Sequence, residues 1–201
     1  MSEREALFRQ FGYDSAASLK FILEKVLPLP GHVLEIGTGK GRFLAAMAKR
    51  ADCITTLDID AKQQRAAKLH VRDDGARQRI RYIVHDAAEL PWPDASFETV
   101  VSVNTFHHLE HPMRVFKEML RVLKPGGKLA LSDLSPRGFQ IFGRIHRFEG
   151  ATHPRLKNGL ARFERRLRLR GWAIRRFKGC NQEILVANSP PAQTQRKNHT
   201  E

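Results

Sequence analysis

Three carboxylates stand where short apolar runs give out: Glu35 in HVLEIG, Asp58 in CITTLDI and Asp86 in IRYIVHD. Behind Glu35 come glycines at alternate places, Gly37, Gly39 and Gly41, with Thr38 and Lys40 between them. Backbone without β-carbons lets a ligand lie directly against it, and a helix opening just behind offers N–H groups with no partner of their own. The spacing is G-x-G-x-G, one residue short of the dinucleotide fingerprint G-x-G-x-x-G. A carboxylate ahead of the first glycine is a poor neighbour for a pyrophosphate but suits an ammonium or a sulfonium. Asp58 lies nineteen residues beyond Gly39, the distance at which a carboxylate meets ribose hydroxyls in such folds. Three acids at three consecutive run ends, with no P-loop lysine pattern, describe a cationic adenosine ligand better than a nucleotide phosphate.

Such a constellation needs strands that end side by side. Val- and Ile-rich runs (HVLEIG, CITTLDI, IRYIVHD, ETVVSVN, KLALSDL, EILVAN) alternate with helical patterns: GRFLAAMAKRA, AKQQRAAKLHVRDD and PMRVFKEMLRVL, the last closed by Lys124-Pro125-Gly126-Gly127. A lead-in helix is predicted over about 15–27, stopped by Pro28 and Pro30. This alternation predicts an α/β fold, a doubly wound and mostly parallel sheet with helices on both faces. Ligands then sit at the carboxyl ends of the strands.

Six segments in order, Glu35-Ile36-Gly37-Thr38-Gly39-Lys40-Gly41, Leu57-Asp58-Ile59, Asp86-Ala87-Ala88-Glu89-Leu90-Pro91, Ser96-Phe97-Glu98, His107-His108-Leu109 and Arg121-Val122-Leu123-Lys124-Pro125-Gly126-Gly127, resemble the small single-domain class I S-adenosylmethionine-dependent methyltransferases. The resemblance covers roughly residues 30–134. It implies a Rossmann-like fold and S-adenosyl-L-methionine as cofactor. Glu35 would reach the methionyl ammonium through water, and the Gly37–Gly41 backbone, Thr38 included, would pack on the methionine and ribose. Asp58 would take the ribose hydroxyls, Ile59 would cover the adenine, and Asp86 with the Ala87 N–H would read the adenine edge. Asn104 would border the sulfonium methyl. Glu98 stands where the family usually has aspartate.

The acceptor is less legible, because methyl transfer depends mostly on positioning and needs a base only when the nucleophile must lose a proton. By the same resemblance, Asn104-Thr105-Phe106-His107 is not the Asn/Asp-Pro-Pro-aromatic of amino methylation on nucleic acids. Neither Cys53 nor Cys180 stands where a cytosine-C5 enzyme keeps its nucleophile. His107, His146 and Glu149 are the candidate catalytic groups; His108 and His111 lie beside the first, and His153 just past Gly150. His146 and Glu149 share a flank if their segment is helical. No metal site is expected from histidines and a carboxylate spanning a helix end. The expected activity is therefore methyl transfer to a small-molecule acceptor. RNA or protein methylation, and a non-catalytic module of the same fold, are the alternatives.

The net charge of +14, from 35 Lys and Arg against 21 Asp and Glu, favours polyanionic partners. Much of it lies in 155–178, where Leu156, Leu160, Phe163 and Leu167 recur at helical spacing and leave the arginines outside an apolar stripe. A solvated helix face explains that pattern, so nucleic-acid contact is possible there but not favoured. A single domain over 1–187 is expected: a helical lead-in to residue 29, the cofactor core over 30–134, and an acceptor-side insertion with final strands over 135–187. A disordered polar tail over 188–201 should follow. The charged N-terminus, the absence of a long apolar run and the two distant cysteines point to a cytoplasmic protein with no membrane span.

Overall fold

The computed structural model describes residues 3–71, 79–150, 154, 156 and 159–191. Their backbone forms α1 (Glu3–Gln10), α2 (Ser15–Val26), β1 (His32–Ile36), α3 (Arg42–Met47), β2 (Cys53–Asp58), α4 (Ala61–His70), β3 (Ile80–Val84), β4 (Phe97–Val103), α5 (Pro112–Val122), β5 (Leu123–Leu134), α6 (Pro136–Phe148), α7 (Ala161–Arg168), β6 (Ala173–Gly179) and β7 (Gln182–Asn188), with a 3-10 turn at Phe106–His108. Seven strands make one sheet in the order β3-β2-β1-β4-β5-β7-β6. The first five run parallel, and β7 is antiparallel to both neighbours. The expected doubly wound sheet is what forms.

Its chemistry follows from its middle. Val33, Leu34, Glu35 and Ile36 are each at most 1% exposed, because helices cover both faces of β1. From β1 the chain winds outward through β2 and β3, then returns to place β4 on the other flank. That reversal opens a crevice above the carboxyl ends of β1 and β4, where such folds bind ligands. Helix starts are set locally: Asp14 caps α2 by accepting from Ala16 and Ala17, Asp60 caps α4 through Lys62, and Ser135 caps α6 through Gly138. Lys128, buried on β5, donates to the carbonyls of Val26 and Pro28 and so ties the end of α2 to the sheet.

The C-terminal third departs from the sequence expectation. The basic segment is a short helix, α7, followed by Gly171 at φ +72° and an edge strand, β6, that the apolar-run reading had missed. Alternating Arg and Lys hid the strand, since only Ile174 and Phe177 break them. The apolar stripe holds: Leu156, Leu160, Phe163 and Leu167 are at most 6% exposed. The supposed tail begins too early at 188. Asn188 belongs to β7, Ser189 N–H donates to the Gly127 carbonyl (2.9 Å), and Gly126 N–H donates to the Pro190 carbonyl (3.0 Å). Residues 192–201 lie outside the described residues, as do 72–78, on which part of one expected helix fell. Glu98 is structural: it accepts from the His32 N–H and pairs with Lys124, at the sheet end away from the crevice. Among the described residues no helix is long and apolar enough to cross a membrane.

Phe163 packs between Phe106 and Phe116, with ring centroids 4.8 Å from each, and so pins α7 against the turn after β4. Replacing Phe163 with alanine should cost about 3–5 kcal/mol of stability, read as a drop in the urea midpoint. A loss under about 1 kcal/mol would mean that α7 is not part of the core.

Candidate active site

The glycine loop is built from three glycines with different duties. Gly37 and Thr38 both donate to the Leu57 carbonyl (2.8 and 3.2 Å), carrying the chain from β1 across the top of β2. All three glycines have positive φ, +85°, +51° and +75°. A β-carbon on Gly37 would lie 2.1 Å from Thr105 Oγ1, and one on Gly41 would lie 2.8 Å from Ala67 Cα. Those two are bare because the protein itself packs against them. A β-carbon on Gly39 would meet nothing within 4 Å, so there the bare backbone faces open space. The sequence argument that all three serve a ligand therefore narrows to Gly39.

Beneath the loop lies a buried polar chain. Gln64 Nε2 donates to Thr38 Oγ1 (2.9 Å), Thr38 Oγ1 bonds Thr56 Oγ1 (2.6 Å), and Thr56 Oγ1 donates to Glu35 Oε2 (2.5 Å). Glu35 is 1% exposed, and burial pushes its pKa up to about 8. One expectation is corrected here: Glu35 does not present its side chain at a ligand surface, because β1 is central, and it braces the loop from below together with the Thr38 hydroxyl, which turns inward. Gln64 and Thr56 were not foreseen: Thr56 is a polar residue in the apolar run CITTLDI, but nothing local sets Gln64 apart within the polar helix AKQQRAAKLH.

The other expected cofactor residues lie at the crevice. Asp58 Oδ2 accepts from Gly39 N–H (2.8 Å) and Oδ1 from Asp60 N–H (3.0 Å), which sets its carboxylate beside the open stretch of loop with lone pairs to spare. Ile59 next to it is 70% exposed, an apolar side chain with no protein cover. Asp86, exposed, accepts from Ala88 N–H (2.8 Å), and Ala87 is buried in the turn between them. That loop is held by Arg121, which donates to the Leu90 and Trp92 carbonyls and pairs with Asp94 and Glu118. Asn104 closes the other side at φ +52°, its N–H bonded to the Ser132 carbonyl and its Oδ1 buried without a partner among the described residues.

The turn after β4 and the end of α6 gather histidines. His107 Nδ1 lies 2.5 Å from Asp133 Oδ1, with both side chains at most 2% exposed. The His108 ring lies tilted against His107, with centroids 4.0 Å apart, and its pKa is lowered to about 4 by burial and by His107. His146 Nδ1 meets the Phe142 carbonyl (3.0 Å), and Nε2 stands 4.0 Å from Glu149 Oε2, so the expected pair does share a flank at the end of α6. His153 lies outside the described residues. Asp133 was missed, although SDL at the end of an apolar run repeats the signal that exposed Asp58 and Asp86. A groove of about 670 Å³ runs beside the cluster, lined by Phe106, His107, Leu109, Met113, Leu156 and Arg162 among others. Among the described residues no group of three or more His, Cys, Asp or Glu could hold a metal ion.

Residues 34–131 match the family model described as a methyltransferase domain. The chain is 36% identical over 125 residues to a 27-O-demethylrifamycin SV methyltransferase of Amycolatopsis mediterranei (59% of this chain, 46% of that protein). It is 35% identical over 119 residues to a demethylmenaquinone methyltransferase of Deinococcus radiodurans (59% and 49%). The match thus spans about half the length of these curated relatives. A putative S-adenosyl-L-methionine-dependent methyltransferase from Methanococcus maripaludis shares the fold at a TM-score of 0.67 and 20% identity, over 95% of this chain and 90% of that one.

Burial holds Glu35 protonated in the folded protein up to about pH 8, whereas its ordinary pKa is 4.5. Between those values the folded state binds the extra proton, so stability should fall as pH rises through the window. The Glu35→Gln variant keeps a neutral partner for Thr56 and should lose that slope. Melting temperatures from pH 5 to 8 for both proteins check this, and parallel curves would refute it.

Proposed function

We propose that this chain transfers a methyl group from S-adenosylmethionine to a small-molecule acceptor. The observation that carries the reading is the open face of Gly39 flanked by Asp58 and the uncovered Ile59. The residues present fit the cofactor. Carboxylates at Asp58 and Asp86 suit a ribose diol and an exocyclic amine, Ile59 offers an apolar face to a purine, and the orphaned Asn104 Oδ1 calls for a donor. When bound, the cofactor supplies an electrophilic sulfonium methyl. The chain's own part is positioning: the glycine loop fixes one flank of the crevice, the Arg121-held loop fixes the other, and Asn104 with the histidine turn forms the acceptor side. Glu35 acts through the loop it braces. His146 and Glu149 border the acceptor as polar contacts.

The small-molecule reading is supported by the two relatives above, which are named for a rifamycin and a menaquinone precursor. One observation favours an RNA acceptor instead: among the described residues Arg162, Arg165, Arg166 and Arg170 form no ion pair, while Glu164 is shared by Arg168 and Arg176. Phosphate contact through that face would make binding fall steeply with salt. Exposed, unpaired Cys53 and Cys180 suit a reducing compartment such as the cytoplasm.

Titration calorimetry with S-adenosylmethionine, S-adenosylhomocysteine and NAD tests the reading. Micromolar binding of the first two without NAD is expected. Asp58→Ala should weaken that binding by about 1.5–3 kcal/mol, the scale of a hydrogen bond to a charged group. Equal affinity in the variant would remove Asp58 from the site, and no binding by folded wild-type protein would remove the activity.

A further inference from the structure

The groove beside the turn after β4 joins apolar walls to a cation that no carboxylate neutralises. Phe106, Leu109, Met113 and Leu156 line it, with Phe106 and Leu156 at most 6% exposed. Glu110, His111, Arg114 and Arg162 supply its charged and titratable groups besides His107. Arg114 is already paired with Glu89, and Glu110, whose side chain is 89% exposed, stands in solvent 3.9 Å from His111. Arg162 forms no ion pair among the described residues. Glu164, the acid of α7, is held by Arg168 and Arg176 and so does not serve it. Of Arg162, Arg165, Arg166 and Arg170, the last three are exposed, whereas Arg162 is half-buried in the groove wall. Its guanidinium carbon lies 5.5 Å from the Phe163 ring centroid. That ring is 0% exposed and packed between Phe106 and Phe116, so the start of α7 is fixed against the turn after β4. A guanidinium set among apolar side chains is screened by less water than one on the open face, and its pull on an anion is stronger.

We propose that this groove binds the methyl acceptor as an apolar carboxylate, with Arg162 taking the carboxylate and the apolar walls taking the body of the molecule. As a statement about the acceptor this rests on the methyltransferase reading; as a statement about binding it does not. The guanidinium presents its donors in a planar fork that matches both oxygens of a carboxylate. The groove's volume of about 670 Å³ suits such a ligand, since small-molecule sites run from roughly 300 to 1,000 Å³. An RNA backbone would be served by the exposed Arg165, Arg166 and Arg170. Walls of Leu and Met serve a ligand with an apolar body, and one unneutralised cation among them serves a ligand with one negative charge.

Titration calorimetry of the full chain, with and without S-adenosylhomocysteine, compares octanoate and phenylbutyrate with octanamide and phenylbutyramide. At neutral pH wild type should bind each carboxylate about tenfold or more tighter than its amide, the scale of a hydrogen bond to a charged group. Arg162→Gln should weaken the carboxylates by about tenfold to a hundredfold and leave the amides unchanged, while S-adenosylhomocysteine affinity and melting temperature stay as in wild type. Arg165→Gln, on the exposed face, should keep the preference. Equal binding of acid and amide by wild type, binding of neither at millimolar concentration, a preference that survives Arg162→Gln, or one lost equally in Arg165→Gln would each overturn the proposal. So would displacement of the carboxylates by a single-stranded oligouridylate whose affinity depends on Arg162 and falls steeply with salt, which would assign the groove to RNA. If folded wild type does not bind S-adenosylhomocysteine, the methyltransferase reading falls, and the comparison of acid with amide still decides the groove. If Arg162→Gln does not fold, Arg162→Met, which keeps an apolar stem against the wall, takes its place.

Discussion

A short hydrogen bond between two neighbouring strands, Thr56 to Glu35, fixes where the glycine loop can run. Glu35 is the last polar side chain on a strand buried on both faces, and burial without a partner would cost several kcal/mol. Thr56 supplies the partner, and Thr38 and Gln64 extend the chain of donors to the underside of the loop. With the loop's underside anchored and Gly37 pressed on Thr105, its one bare outward face falls at Gly39. Asp58, Ile59, Asp86 and Asn104 matter only because that face is where it is.

Much of this could be read from the residues. The parallel strands, the helices between them and the three acids at strand ends follow from period and position, which local sequence records well. What could not be read were features that depend on partners far along the chain. Nothing within LEIGTGKG says that Gly41 is bare because of Ala67, or that Glu35 faces Thr56 and not a ligand. The strand β6 was hidden because an edge strand needs few apolar residues, so its arginines imitated a helix surface. Asp133 was overlooked because its partner, His107, lies twenty-six residues away, on the turn that follows β4.

The two sides of the crevice are built on different terms. The first uses backbone and exposed carboxylates on rigid strand ends, which tolerates little change in geometry. The second is carried by α6, α7 and the turn after β4, and it is packed largely with aromatic rings: Phe8, Tyr13 and Phe142 meet edge to face, and Phe139 meets His107 in the same way. Through that cluster α1 rests on α6, and Glu5 of α1 reaches Arg42 at the start of α3 (4.0 Å). The N-terminal helix thereby touches both sides of the crevice.

Strand β6 closes the sheet on one edge, where a row of backbone N–H and C=O groups faces outward. Such an edge invites a second copy to add its own strand. Here Arg175 and Lys25 crowd one face, around Phe177, while Arg176 and Lys178 share Glu183 on the other. Two molecules approaching edge to edge would bring these cations together, so the same charge that resembles an anion-binding surface also keeps the sheet from growing into an aggregate.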